Sequence, residues 1–283
     1  MIRHFNYDND RPSLYLIPTP IGNLEDITLR ALRLIKSVDY LYSEDTRVSL
    51  KLLKHYGIER QLESFHKHNE KQMENAIIGH LALGKSVGMI SDAGMPLLSD
   101  PGFELVKKCL ELEINVICLP GPSAGLTGLL MSGIKPHPHL FVGFLDAKNT
   151  KRQNTLAELK YREETLVFYE APHRITELLK DILDYLGDRE VVLVREISKK
   201  HEEVIRGLAS ELVTITETRG EYVVIVHGYQ PELKEAREID LVKAVNDMMK
   251  SGLSKTEAMK KVALLSGIPK NKIYQEYLEK TTD

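Results

Sequence analysis

Short apolar runs and amphipathic stretches alternate from residue 14 to about 228, and this rhythm constrains the fold more than any other feature of the chain. Leu14–Ile17, Tyr40–Tyr42, Val87–Ile90, Val116–Leu119, Leu140–Phe144, Leu166–Tyr169, Val191–Val194 and Tyr222–Val226 read as buried strands. Between most of them, Ile27–Lys36, Asn69–Leu83, Phe103–Leu112 and Ile175–Leu186 carry the spacing of amphipathic helices. Strands alternating with helices predict an α/β protein with largely parallel sheets covered on both faces. The segment Val191–Gly207 breaks the rhythm: two β-like runs follow each other with no helix between them. An antiparallel pair, and hence a mixed sheet, is expected there.

The chain has 283 residues, which suggests about two domains. Pro120-Gly-Pro122 punctuates it at the expected boundary. Residues 1–120 would form an N-terminal α/β domain, 121–230 a second one, and 238–283 a helical extension. In that extension Ile239–Lys250 is one amphipathic run. Gly252 breaks it, and Ser254 with Glu257 has the spacing of a capping box. A second run, Ala258–Leu265, stops at Ser266-Gly267, and Pro269 opens a third. Helix, short turn, helix is the outline of a helix-turn-helix, and equally of a small helical cap. From Leu241 to Asp283 there are 8 Lys against 5 Asp or Glu, a weak basic excess inside a chain of net charge −3.

That net charge argues against a chain that coats nucleic acid non-specifically. Hydrophobic residues at 42% and charged residues at 28% exclude wholesale disorder. Two cysteines, Cys109 and Cys118, are too few for a disulfide scaffold or a cysteine-rich zinc site. The start, MIRHFNYDNDRPS, has no apolar leader core, and no apolar stretch approaches the roughly 20 residues of a membrane span. A cytoplasmic protein with no membrane segment is expected.

No P-loop, no G-x-G-x-x-G after a strand and no G-x-S-x-G elbow occurs. His66 and His68, like His137 and His139, lack the further ligands that zinc requires, so no metal is expected. Three loops rich in Gly, Pro and small polar residues follow strands, where ligands of α/β sheets bind. In IPTPIGNLEDIT (17–28), Asp26 could cap the following helix. SDAGMPLLSDPG (91–102) holds two Asp, two Gly and two Pro, and Asp92 with freed amides could grip a cationic small molecule; Ser99 or Asp100 could instead serve as a helix cap. LPGPSAGLTGLL (119–130) enters a helix through Ser123-Ala124, where a ligand could lie against backbone at a helix N-terminus. Glu170 in FYEAPHR is anomalous, since a carboxylate ending an apolar strand is costly unless paired or exposed in a cleft. REISKKHEEVIRG (195–207) is a solvated charge run or a cleft wall.

Taken in order, PTPIGNLEDIT, YSEDTR, FHKHNE, SDAGMPLLSDPG, PGPSA, GFL, TLVFYEAPHR, REISKKHEE and GEYVVIV resemble the small-subunit ribosomal RNA methyltransferase I family, the cytidine-2′-O-methyltransferase branch of the tetrapyrrole methylases. The resemblance runs from about Leu14 to Val226, and the helical tail is similar to that family's helix-turn-helix extension. It implies two α/β domains with a cleft between them, S-adenosylmethionine as cofactor, a cytidine 2′-hydroxyl at the decoding centre of 16S rRNA as substrate, within the 30S particle, and a homodimer. Carried over by position, the cofactor pocket would use Pro20; Asp92, Ala93, Gly94, Pro96 and Ser99; Ser123 and Ala124; and Tyr169, Glu170, Glu221 and Tyr222. Two departures stand out. The first loop lacks the glycines of the porphyrin and corrin members, which leads away from tetrapyrroles. Asp146 stands where a proline usually follows GFL, which should alter a loop at most.

Methyl transfer from a sulfonium needs alignment and an acceptor for the hydroxyl proton. Glu44, Asp45 and His66 are candidate bases; Arg47, Arg174 and Lys199 could hold phosphates or the developing oxyanion. A methyltransferase acting on a tetrapyrrole or corrin, and a non-catalytic RNA-binding protein on the same fold, are the alternative readings.

Overall fold

The computed structural model describes residues 11–98, 100–215, 219–231, 241–266 and 270–281. The described residues up to Tyr229 form one compact unit, and those from Gln230 onward a second.

The first unit holds two sheets. β1 (Ser13–Ile17), β2 (Tyr40–Ser43), β3 (Glu63–Ser64), β4 (Val87–Ile90) and β5 (Asn115–Cys118) build the first, in the order β3-β2-β4-β1-β5. All its pairs are parallel, as the alternation with helices requires. The helices are α1 (Leu29–Ser37), α2 (Thr46–His55), α3 (Glu70–Ala82) and α4 (Phe103–Glu111). Two apolar clusters cover the sheet, one with Ile17, Ile35 and Leu41, the other with Leu14, Tyr42 and Leu105. α1 starts at Thr28, whose hydroxyl accepts from the Ala31 N–H at 3.0 Å. Asp26, expected as its cap, instead ends a single 3-10 turn that Asn23 opens. The extended residues Ile27 and Thr28 carry the chain past Asp26 before the helix begins.

The second sheet follows α5 (Ala124–Ser132). It consists of β6 (His139–Phe144), β7 (Thr165–Glu170), β8 (Glu190–Arg195), β9 (Glu203–Leu208) and β10 (Tyr222–Val226), in the order β6-β7-β10-β8-β9. β6 and β7 are parallel, and every other pair is antiparallel. The break in rhythm at Val191–Gly207 is the β8–β9 hairpin, with Val191 opposite Gly207. β10 is buried along its whole length in the centre of the sheet, which explains why YVVIV shows no polar alternation. α6 (Asn149–Leu159), α7 (Ile175–Leu186) and the short α8 (Ala209–Leu212) cover one face. α7 buries Ile175, Leu178, Leu179, Ile182 and Leu186, one face at helical spacing. Buried between α6 and α7, Arg152 donates to Asp181 at 2.6 Å. Removing either partner of such a pair costs about 3–5 kcal/mol.

The second unit is three helices, α9 (Leu241–Lys250), α10 (Lys255–Ser266) and α11 (Lys270–Thr281), around Leu241, Val245, Met259, Val262, Ile273 and Tyr277. The capping box forms: the Ser254 N–H donates to Glu257 at 3.1 Å and the Glu257 N–H to the Ser254 hydroxyl at 3.4 Å. α10 therefore starts three residues before the apolar run at Ala258 that marks it in the sequence. Ile239, Gly267 and Pro269 lie outside the described residues.

Candidate active site

A hollow of about 490 Å³ lies where the two sheets of the first unit bring their strand ends together. Ile21 follows β1, Glu44 follows β2, Asp92 and its neighbours follow β4, and Ser123 and Ala124 follow β5. The carboxyl ends of parallel strands are where α/β sheets bind ligands. From the second sheet come Phe144 at the end of β6 and Tyr169 and Glu170 at the end of β7, with Ile197 and Lys199 following β8. β10 runs antiparallel to β7 and β8, so its first residue, Tyr222, pairs with Glu170 and Arg195 and joins the same edge, with Glu221 beside it.

The hollow is lined by five carboxylates, Glu44, Asp92, Asp100, Glu170 and Glu221, against one lysine, Lys199. Asp92 accepts the Asp45 N–H at 3.0 Å, and burial pushes its pKa up. Glu170, 2% exposed, resolves the anomaly noted in the sequence. One of its oxygens, Oε1, accepts the Ala171 N–H at 2.8 Å and lies 3.4 Å from the Arg174 guanidinium. The other, Oε2, is buried with no hydrogen-bond partner, and burial raises the carboxyl's pKa. An orphaned carboxylate oxygen on the wall of a hollow is a place for a donor or a cation. Burial also raises Asp100, to about 7, with the neighbouring Glu44 carboxylate adding to the shift.

Gly94 does not offer a free amide. Its N–H and C=O bond to Thr19 at 3.0 and 3.1 Å, tying the second loop to the first. Its φ of +77° is one that glycine adopts readily. Lys199 is likewise committed: it bonds Glu196 at 2.8 Å and Glu221 at 3.0 Å. Burial alone would lower its pKa, but the two carboxylates outweigh that and raise it. The Tyr169 hydroxyl accepts the Gly125 N–H at 2.8 Å, which holds the start of α5 against β7.

A second hollow of about 410 Å³ shares Glu44 and Asp92 with the first and is otherwise lined by Asp45, Thr46, Arg47, Ser64 and His66. Asp45 caps α2 and chelates the Arg47 guanidinium at 3.0 and 2.7 Å, which holds its pKa down near about 2. His66 lies there with a buried Nδ1 that has no hydrogen-bond partner.

Of the residues singled out in the sequence, Asp92, Ala93, Gly94, Ser123, Ala124, Tyr169, Glu170, Glu221 and Tyr222 converge on the first hollow. Pro20 does not line it; the adjacent Ile21 does. Pro96 lines a small recess of about 10 Å³ shared with Glu44 and Asp100. Ser99 lies outside the described residues. Arg174 lines none of the three. It donates to the carbonyls of Leu145 and Asp146 at 3.1 and 3.2 Å and so fixes the loop in which Asp146 replaces proline. Asp100 was legible only as a possible helix cap, yet α4 follows Gly102 with no side-chain cap. The apolar wall of Ile21, Met95, Phe144, Ile197 and Val223 had no sequence signal, because exposed strand ends and loop residues carry no periodicity. Among the described residues, no three His, Cys, Asp or Glu side chains are grouped as metal ligands.

Residues 13–213 match the profile of the tetrapyrrole (corrin/porphyrin) methylases. The chain belongs to the tetrapyrrole methylase family. Within the family it is similar to the ribosomal RNA small subunit methyltransferase I of Bacillus subtilis (strain 168), 42% identical with 96% of each chain covered. The protein of the same name from Vibrio cholerae serotype O1 is also 42% identical over 96% of each chain. Among solved structures, the uroporphyrin-III-C-methyltransferase of Thermus thermophilus has the tetrapyrrole methylase fold with a TM-score of 0.55. It covers 77% of this chain and 94% of its own at 17% identity, a likeness of fold alone.

Proposed function

We propose that this chain is an S-adenosylmethionine-dependent methyltransferase acting on the 2′-hydroxyl of a cytidine in the decoding centre of 16S rRNA. The observation that carries the reading is the acidic hollow with the orphaned Glu170 Oε2 on its wall. S-adenosylmethionine carries a cationic sulfonium and an ammonium group, and this donor-poor, carboxylate-lined hollow suits both charges. Relatives named for ribosomal RNA, matched over nearly their whole length, support RNA over a tetrapyrrole as the acceptor.

When bound, the cofactor supplies a methyl group already activated for displacement. Glu170 and Asp92 would hold its cationic end. Ala93, Gly94, Ser123 and Ala124 would bring backbone close to it, and Tyr169, Tyr222 and Ile197 would give apolar walls. Pro20, Pro96 and Ser99 would shape the loops rather than the wall. The acceptor ribose would enter the second hollow, where the exposed Arg47 could pair with phosphate. Of the three candidate bases, Asp45 is the poorest, since Arg47 holds it ionised and engaged. Glu44 lines both hollows and is the best placed, with His66 beside it. Lys199 would hold Glu221 in the wall rather than grip phosphate. A positioned base contributes about 10²–10⁴-fold.

The lobes 1–120 and 121–230 would act as two domains around the cofactor, with 238–283 as an RNA-binding extension. A homodimer in the cytoplasm, working on the 30S particle, completes the reading. Labelled S-adenosylmethionine incubated with assembled 30S particles or with deproteinised rRNA tests it. Incorporation at a cytidine ribose is expected, and transfer to neither substrate would overturn the reading.

A further inference from the structure

Asp100 and Glu44 come from different loops, after β4 and β2, and meet on the wall of the larger hollow. Their carboxyl groups hydrogen-bond each other. Two carboxylates at that separation cannot both ionise cheaply, so the pair holds one proton more readily than either would alone. Both also line the small recess below, where Pro96 and Phe65 limit solvent around them. Glu44 alone continues into the second hollow, beside His66 and Arg47. The pair therefore spans the partition between the two hollows. That the larger hollow receives a ligand is independently supported by the orphaned Glu170 Oε2 on its wall.

We propose that Glu44 takes the proton of the acceptor hydroxyl and that Asp100, acting through Glu44, is the positioning residue that shares it. The inference rests on the methyltransferase reading above and goes beyond it by naming the proton's destination. The O–H bond breaks and its proton passes to Glu44. The freed electron pair forms the O–C bond, while the departing sulfur keeps the pair of the C–S bond. The sulfonium charge is lost and the carboxylate pair gains one proton, so charge and atoms balance with no further reactant. Other groups bear on the pair. Asp92, on the same loop as Asp100, raises the pair's affinity for a proton, and Lys67 lowers it. The Asp100 carboxyl titrates at about 7, so the pair accepts a proton most readily just above neutrality.

The test follows single-turnover transfer from S-adenosylmethionine to unmethylated 30S particles between pH 5.5 and 8.5. In the wild-type chain the rate should rise with pH and level off through an inflection near 7. In Asp100→Asn it should fall by about 10²-fold, the lower end of what a positioned base contributes. The inflection should move to the acid side, because Glu44 loses its like-charged neighbour. Asp100→Glu should restore part of the rate and return the inflection toward 7. A residue that only shapes the loop would lower the rate and leave the inflection in place.

Calorimetry gives a second readout without RNA. A cation entering beside the pair lowers its pKa, so S-adenosylmethionine binding at pH 7 should release up to about half a proton. Titrations in two buffers of different ionisation enthalpy measure that release, and Asp100→Asn should abolish it. A flat wild-type profile, an unmoved inflection in Asp100→Asn, or proton release unchanged in that variant would each overturn the proposal. Wild-type transfer to the 30S particle without the inflection would sink the proton pair and leave the methyltransferase reading standing. Absence of any transfer would sink both.

Discussion

Asp92 sits where β4 ends, its carboxylate half-buried and fixed by the Asp45 N–H, with a raised pKa that marks the cost of holding its charge there. A cation repays that cost. Asp92→Ala should therefore weaken S-adenosylmethionine binding by roughly 10–100-fold, the range of a charge-assisted hydrogen bond. Gly94→Val should weaken it as well, for a different reason. Its φ of +77° strains a β-branched residue, and a Cβ would meet Ile21 at 3.1 Å on the wall of the hollow. Calorimetric titration of the folded variants checks both, and unchanged affinity in both would remove this loop from the site. Asp100 carries a consequence for stability. Its pKa stands at about 7 in the folded chain against an ordinary value near 3.8. Between those values the folded state binds more protons than the unfolded one, so this group's contribution to stability falls as pH rises from about 4 to about 7. Asp100→Asn should then raise the melting temperature at pH 8 and do little at pH 4. A rise of roughly 2–4 °C corresponds to about 1 kcal/mol in a chain of this size. Equal shifts at both pH values would contradict it.

Between elements, the first loop is clasped by the segment joining β8 to β9. A Cβ on Gly22 would lie 2.6 Å from the Ile197 carbonyl, so only glycine lets the two backbones approach. The Ser198 hydroxyl donates to Asp26, and Lys199 ties the same segment to Glu221. Glu196 and Ser198 both adopt positive φ, +52° and +67°, at a cost of about 1–3 kcal/mol each. Such strain at the edge of a ligand hollow is held by the surrounding bonds. Gly22→Ala should push the clasp apart and reduce cofactor affinity several-fold, while the two sheets, which do not pass through it, keep their melting transition. An intact affinity would show that the clasp plays no part in the pocket. The strands and helices were readable because buried strands are continuous apolar runs and α7 repeats its apolar positions every three or four residues. The clasp was not, because REISKKHEEVIRG has the composition of a solvated surface and its role depends on meeting a loop more than 170 residues away.

For the molecule as a whole, the three-helix unit from Gln230 onward has its own apolar centre and its own capping box. Deleting residues from about Glu238 should leave a folded body with little change in S-adenosylmethionine affinity. Binding to 30S particles should weaken and lose part of its salt dependence, since each phosphate contact contributes to the salt slope. Unfolding of the truncated chain, or loss of cofactor affinity, would make the helices a structural cap. An unchanged salt slope would make them dispensable for recognition. A chelator followed by a reductant should leave transfer intact, because displacement from a sulfonium requires neither Lewis acid nor disulfide. Loss of activity that zinc restores would refute this.

The sequence by itself determined the elements, the parallel first sheet, the mixed second sheet and the loops that carry the ligand-facing residues. Those properties follow from local patterning: apolar runs for strands, period for helices, and glycine, proline and small polar residues where chains turn. Only the tertiary structure decided which loop atoms remain available. Gly94 was read as a free amide and is bonded to Thr19, Lys199 was read as a phosphate ligand and is paired with two carboxylates, and Arg174 fixes a loop. Asp100, read as a cap, meets Glu44 from another strand end. Each of these outcomes depends on a contact between residues far apart in the chain, and distance in sequence carries no record of that contact.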